Sequence, residues 1–326
     1  MNAISLRNTD PPRDFDWIAA LINSVDMEPT SVNELKEWYQ RKLPDDIHLR
    51  VVENASREKL GFHCLFRYNA GDGIHYKFYL IVEPEYRRQG AGAALYDHLE
   101  GLAHSMGTGA ITTNILDNDP SSRHFAEKHG FIQKSHDIQM VLDLGVFDDK
   151  SQTDFITALK SKGFHFTTMA ELGNGEEAQR KLYELNNSVS ATQPGHEGVS
   201  AWGSFEDFQR TVCQMGWYKP AGQFVVTEKS TGDWVAMSAI TRFENSDYAY
   251  NLFTGVDLRY RRRKLAQAVK SLALSYARDQ LGVDKVRTNH NADNAPMIAI
   301  DRKLGYVQIP GTCRMEKTLT GKNESR

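Results

Sequence analysis

The 326-residue sequence predicts two tandem units of the α/β (α+β) class, and three observations carry that reading. First, residues 79–96 read as a strand running into a glycine-bearing turn and then a helix, with Arg87, Gly90 and Gly92 spaced R-x-x-G-x-G. Second, residues 256–266 repeat the plan, with Arg261 in the place of Arg87. Third, the offset persists downstream. The glycines of Lys128-His-Gly-Phe131 and Lys303-Leu-Gly-Tyr306 are separated as Arg87 is from Arg261, to within a single position. Asn114 and Asn118 answer to Asn289 and Asn294 between those anchors. A repeat that holds its offset along a whole unit marks a duplicated structural unit.

The elements follow in order. A short strand over 4–7 opens the first unit, and apolar residues at 3–4 spacing make 14–22 a helix. Ser31 and Glu34 form a capping box for a helix through residue 41. Strands are predicted over 48–53, 60–68 and 75–82, with a turn at Gly71-Asp-Gly73. A helix over 92–105 and a buried-type strand over 110–116 come next. Asp119 is the N-cap of another helix with Pro120 at its first position, and Gly130 ends it in the left-handed region. The last strand region of the first unit is 131–144, and the polar stretch 147–154 reads as a linker. Domains are therefore drawn at 1–147 and 154–326. In the second domain, helices are predicted over 155–162, 176–189, from Ser204, over 264–280 and over 295–304, the last capped by Asn294. Strands are predicted within 164–172 and over 224–228, 234–243, 248–256, 285–289 and 307–319. Residues 190–198, including His196 and Glu197, form an irregular loop, and 321–326 a frayed tail.

Bulk properties bound the function. A hydrophobic fraction of 40% and a charged fraction of 25% are those of an ordinary globular chain. A net charge of −3 argues against general nucleic-acid or acidic-membrane binding, though not against a local basic patch. Cys64, Cys213 and Cys313 lack metal-like spacing and sit in apolar stretches, so they read as reduced core residues of a cytoplasmic protein. No apolar run approaches the length of a membrane span, and the first residues lack the regions of a signal peptide.

A turn of this kind gathers backbone N–H groups at a helix N-terminus, where they can hold a phosphate. With that motif twice in the chain, the sequence resembles the GCN5-related N-acetyltransferases (the GNAT superfamily), in particular the tandem branch that includes mycothiol synthase. The resemblance rests on Val82 to Gly92 in the first unit. In the second it rests on Thr254-Gly-Val256, the turn 261–266, and Asn289, Asn294, Met297 and Leu304-Gly-Tyr306. It implies two domains, each with a mixed, mainly antiparallel sheet flanked by helices, and acetyl-CoA as co-substrate with no metal. Implied CoA contacts are Ile81, Val82, Arg87, Arg88, Gln89, Gly90, Ala91, Gly92 and Ala93 in the first site. In the second they are Gly255, Val256, Arg261, Arg262, Arg263, Lys264, Leu265 and Ala266. Asn114, Asn289 and Asn294 are candidates for contacts along the CoA arm. The pyrophosphate would meet the turn's N–H groups, and the strand before it would pair with the pantetheine arm where a bulge splays it.

The pattern departs from the family in three places. Lys264 stands where Gly90 stands in the first unit, either crowding the pyrophosphate or adding a charge to it. The run Arg259, Arg261, Arg262, Arg263, Lys264 is read as phosphate-binding, because cations at a helix N-terminus oppose its dipole. The tyrosine that protonates the leaving thiolate in many members is replaced by Ala126 and Asp301, so water or another residue must do that work. For the general base, Glu83 and His75 in the first unit and Glu244 and Asp247 in the second lie near the strand before the turn. A surface charge is the default reading of each. Tyr248, Tyr250 and Phe253 read as sheet-face packing. The expected activity is transfer of an acetyl group to an amine of a small molecule or peptide by direct attack in a ternary complex. That expectation is compatible with chemistry in only one of the two domains. The alternative is a non-catalytic acyl-CoA-binding or regulatory protein. Nucleic-acid and membrane partners are not expected, and the oligomeric expectation is a monomer with an internal pseudo-dimer or a weak homodimer.

Overall fold

A computed structural model describes residues 4–25, 30–41, 43–70, 73–193, 201–244 and 246–319. Along the chain, β1 (Ile4–Asn8), α1 (Pro11–Asn23), α2 (Val32–Arg41), β2 (Ile47–Asn54), β3 (Lys59–Ala70) and β4 (Gly73–Val82) lead to the first turn. Then come α3 (Ala91–Ser105), β5 (Ala110–Leu116), α4 (Pro120–Lys128) and β6 (Ile132–Asp143). The second series is α5 (Asp149–Ser161), β7 (Phe164–Thr168), α6 (Glu176–Ser190), α7 (Phe205–Phe208), β8 (Gln223–Glu228), β9 (Trp234–Thr241) and β10 (Ala249–Val256). It closes with α8 (Leu265–Asp279), β11 (Lys285–Asn291), α9 (Ala295–Leu304) and β12 (Val307–Thr318). The turn at 71–72, the loop residues His196 and Glu197, and the tail 321–326 lie outside the described residues.

The chain divides into two compact units that exchange their last strands. Unit 1 takes 1–69, 73–136 and 311–326; unit 2 is built on Asp137–Pro310. In unit 1 the sheet order is β1-β2-β3-β4-β5-β12, and in unit 2 it is β6-β11-β10-β9-β8-β7. Residues 137–143 of β6 pair antiparallel with β11, from Asp143↔Lys285 to Asp137↔Asn291. Residues 312–318 of β12 pair antiparallel with β5, from Thr312↔Leu116 to Thr318↔Ala110. Of the strand region 131–144, read from sequence as the end of the first unit, residues 137–143 thus pair within the second. Local sequence does not encode this, because a strand's propensity fixes its extended form and not its partner.

Strand pairing within each unit is mixed, with β4–β5 and β10–β11 parallel and β1–β2, β2–β3, β9–β10, β8–β9 and β7–β8 antiparallel. In unit 1, Phe62 and Cys64 of β3 pack with Phe15 and Ile18 of α1, while Leu65 packs with Tyr96 and Leu99 of α3. Opposite faces of one strand therefore meet different helix layers, as the period of two requires. The Ser31 capping box forms as read. Ser31 N–H donates to Glu34 Oε2 at 2.9 Å, and Glu34 N–H donates to Ser31 Oγ at 3.1 Å. The stretch read as a linker is instead the start of α5. Asp148 caps it by accepting from Ser151 N–H at 3.2 Å, and Gln152 Oε1 accepts from Gln267 Nε2 and Ser271 Oγ of α8. Ser151, Thr153 and Asp154 are exposed, while Ile156 and Leu159 are buried. Cys64 and Cys313 are buried thiols outside any disulfide, and Cys213 is half-buried. Among the described residues, no helix is long and apolar enough to cross a membrane, and no cluster of three or more His, Cys, Asp and Glu side chains is placed to hold a metal ion.

Candidate functional site

The two turns share one conformation. After β4, a 3-10 turn over Pro84–Tyr86 leads to Arg88 at φ +61° and Gly90 at φ +94°, and α3 starts at Ala91. After β10, a 3-10 turn over Leu258–Tyr260 leads to Arg262 at φ +62° and Lys264 at φ +64°, and α8 starts at Leu265. Left-handed N-caps with no side-chain acceptor leave the first N–H groups of both helices facing outward, where they can bind an anion. Both arginines tie the turn to its strand. Arg87 Nε donates to Val82 O at 3.1 Å, and Arg261 Nε donates to Val256 O at 3.4 Å. A Cβ at Gly90 would meet nothing within 4 Å, so glycine supplies only the backbone angle there. Lys264 reaches the same region despite its side chain, and its backbone therefore fits the turn.

Behind each turn the parallel strands part. The β4–β5 ladder holds at Tyr76↔Ile111 and Lys77↔Thr112, and the β10–β11 ladder at Ala249↔Val286 and Tyr250↔Arg287. At the apex a threonine hydroxyl takes over from the ladder. Thr113 Oγ1 donates to Phe78 O at 2.9 Å, and Thr288 Oγ1 donates to Asn251 O at 3.0 Å. In unit 2 the register between β10 and β9 shifts between Asn251 and Phe253, a bulge that bends the strand away.

In unit 1 the opening is a cavity of about 870 Å³. Ile81, Val82, Arg87, Arg88, Gly90, Gly92, Ala93 and Asn114 all line it. Two expected contacts do not. Gln89 Nε2 donates to Glu85 O at 2.9 Å, and Ala91 is buried in the core. The cavity is also lined by residues not named from sequence as CoA contacts, among them Tyr96, Ile115, Ala126 and Phe131.

Unit 2 surrounds its turn differently. A Cβ at Gly255 would sit 2.1 Å from Val189 Cγ1, so that glycine lets α6 approach β10 closely. The basic run is not a set of five free cations. Arg259 Nη2 pairs with Asp257 at 2.9 Å, and Arg261 Nη2 donates to Thr192 O at 3.2 Å and to Thr192 Oγ1. Arg263 lies 4.8 Å from the Tyr260 ring centre, and Lys264 Nζ 5.8 Å from that of Phe155. Val256, Leu265 and Ala266 are buried, which leaves only their backbone for a ligand. Asn289 Oδ1 accepts from Tyr250 Oη at 3.1 Å, and Asn294 caps α9. Tyr250 is buried, as sheet-face packing implies, and Arg287 stacks at 4.0 Å from the Tyr248 ring centre.

The acid–base candidates scatter. Glu83 Oε1 accepts from Trp17 Nε1 of α1 at 2.7 Å and does not line the cavity. Glu244 and Asp247 are exposed in the turn before β10, whereas the phosphate-type turn lies beyond its end, about 25 Å of extended strand away. His75 is half-buried near the start of β4.

Sequence reasoning missed a polar cluster inside unit 2. Lys270 Nζ of α8 forms an ion pair with Asp301 Oδ1 of α9, both fully buried, and His290 Nε2 of β11 meets Asp301 Oδ2. Burial lowers the pKa of the Lys270 ammonium, and Asp301 opposes that shift. Burial opposes ionisation of Asp301, but Lys270 and His290 outweigh it and hold the carboxyl below the usual range. Tyr306 packs its ring 5.0 Å from Lys270 Nζ, and its hydroxyl is pushed far up by burial and by Asp301. A signal existed in the sequence. Lys270 interrupts the apolar face of a helix, at the repeat position of Tyr96.

With twin phosphate-type turns over splayed strands established, comparison with known proteins adds the lineage. The chain belongs to the acetyltransferase (GNAT) family, whose pattern it matches twice, over residues 17–131 and 177–306. It is 25% identical over 246 residues to a mycothiol acetyltransferase of Mycolicibacterium vanbaalenii, covering 73% of each chain. Among solved structures, it resembles a tandem GNAT protein from the clavulanic acid biosynthesis pathway, with a TM-score of 0.74 at 20% identity over 97% of this chain and 98% of that one. A GCN5-related N-acetyltransferase from Sphaerobacter thermophilus gives 0.70 at 17% identity, over 97% and 95%. The protein is thus an acyltransferase of the tandem two-domain type that resembles mycothiol synthase.

Proposed function

We propose that the protein transfers an acetyl group from acetyl-CoA to an amine of a small molecule or peptide, by direct attack of the neutral amine in a ternary complex. The observation that carries this reading is the repeated turn: an uncapped helix N-terminus beside parted parallel strands, with a cavity of ligand size at the first copy. Orphan N–H groups and the helix dipole suit a pyrophosphate. Unpaired strand edges in the cleft suit an amide-bearing arm. Residues 81–82, 87–93 and 114 would serve the first CoA site, and residues 255–256, 261–266, 289 and 294 the second. The mycothiol acetyltransferase relatives support acetyl transfer.

The two units diverge at the reacting end, which favours chemistry in one of them. Calorimetric titration of acetyl-CoA, followed by thiol-release assays with a panel of primary amines, tests the proposal. Binding together with amine-dependent thiol release is the expected result, and absence of binding would end this reading. Apolar Ala126 at the usual tyrosine position favours a second reading for unit 1, that it binds acyl-CoA without turning it over. Tight binding with no release by any amine would extend that reading to the whole chain.

A further inference from the structure

We propose that His290, held by Asp301 and Lys270, carries the proton of acyl transfer in unit 2. This rests on the acetyltransferase reading above. The internal repeat places the group. Tyr96, Ile115, Ala126 and Phe131 line the cavity of unit 1. At the repeat offset that relates Arg87 to Arg261 and Gly130 to Gly305, their counterparts are Lys270, His290, Asp301 and Tyr306. At these positions one unit carries a phenol and three apolar side chains, and the other an ion pair, an imidazole and a phenol.

Unit 1 demonstrates that the fold does not need charge at these positions. Burying an ion pair removes two groups from water at a cost that packing alone would avoid. Lys270 Nζ and Asp301 Oδ1 meet as an ion pair, with the Tyr306 ring beside them. Of the four side chains His290 alone reaches outward. Its side chain is 10% exposed, and those of Lys270 and Asp301 are 0%. It stands on β11 just beyond Thr288, inside the region where the strands have parted.

The charges fit a proton carrier. Asp301 faces Nε2, which assigns the ring proton to that nitrogen and leaves Nδ1 as the acceptor. Lys270 from α8 cancels the charge of Asp301 from α9, and the pair orients the ring. The phenol of Tyr306 is neutral. In the transfer, the amine nitrogen bonds to the thioester carbonyl carbon and the C–S bond breaks. Nδ1 takes the proton that the nitrogen sheds and returns it to the departing sulfur. No proton is gained or lost overall, and no further reactant is required. This supplies both the missing base and the missing acid with one ring. Asp301 and Lys270 are positioning residues.

The test measures thiol release from acetyl-CoA with the amine panel across pH for wild type, His290→Gln and Lys270→Met, with acetyl-CoA affinity by calorimetry. His290→Gln should lower kcat at least 100-fold, leave acetyl-CoA affinity within threefold, and remove the part of the rise of rate with pH that does not follow deprotonation of the amine itself. Lys270→Met leaves Asp301 uncompensated, so the rise should move to higher pH, a displacement that a merely structural role would not cause. A triple variant, Lys270→Tyr with His290→Ile and Asp301→Ala, installs the residues of unit 1. It should fold, bind acetyl-CoA and lack turnover, which separates lost chemistry from lost folding. Wild-type turnover that persists in His290→Gln or in the triple variant would overturn the proposal and leave the acetyltransferase reading intact. No turnover by wild type would remove that reading and this inference with it.

Discussion

Lys264 occupies a position where its twin is glycine, and removing its side chain should stabilise the protein. At φ +64° and ψ +15° it lies in the left-handed region, which costs an L-residue about 1–2 kcal/mol. Its ammonium also opposes the positive end of α8, worth roughly 0.3 kcal/mol for an exposed group in salt. Glycine returns about 0.4–1 kcal/mol as extra freedom of the unfolded chain. The balance favours Lys264→Gly by about 1 kcal/mol, or roughly 2–4 °C in Tm for a unit of this size. Gly90→Ala is the mirror experiment. A Cβ there touches nothing, so only the angle at φ +94° is penalised, and the variant should lose about 1 kcal/mol. Differential scanning calorimetry on the full chain, without ligand, reads both. A lower Tm for Lys264→Gly, or no change for Gly90→Ala, would refute the argument that the turn's backbone angle is what selects glycine.

Further consequences are equally concrete. Gly90→Glu places a carboxylate at the dipole end of α3 and should weaken acetyl-CoA binding to unit 1 by about 2–3 kcal/mol, roughly 30- to 150-fold by calorimetry; unchanged affinity would mean that the ligand does not use this turn. Ser31→Ala removes one half of the capping box and should cost about 1 kcal/mol, visible as a shifted urea midpoint. Asp301→Ala strands Lys270 in the core and should cost about 3–5 kcal/mol, most of which the unit 1-like triple variant should restore. His63 is fully buried, and burial together with His98, Arg50 and His48 depresses its pKa to about 3. The unfolded chain therefore binds a proton near pH 6.5 that the folded state refuses, so stability falls as pH drops from about 6.5 towards 3, by up to about 4–5 kcal/mol. His63→Leu should flatten that slope in pH-dependent urea unfolding; an unchanged slope would assign acid sensitivity to other groups.

Much of the site was legible because local chemistry dictates it. Glycine angles and the Asp119 and Asn294 caps act within a few residues of chain, the constant repeat offset aligns the two copies, and each turn forms where the spacing put it. What failed to read were features set by partners far along the chain. Asp301 looked like a lost tyrosine until Lys270 and His290, from a different helix and a strand, proved to share its pocket. In the arginine run, Asp257 and Thr192 engage two members, and the Thr192 contact comes from a segment far along the chain. The segment 147–154 looked like a linker because its polar residues hid a helix whose inner face is closed by Gln152.

By itself, the sequence determined a duplicated strand–turn–helix unit, its anion-suited helix ends and its family, since backbone angle and helix start depend on nearest neighbours. Tertiary structure decided where β6 and β12 pair, and which buried side chains meet, as Lys270, His290 and Asp301 do. Those outcomes depend on contacts between residues far apart along the chain. Their free energies come from burial and charge pairing, which no local pattern records.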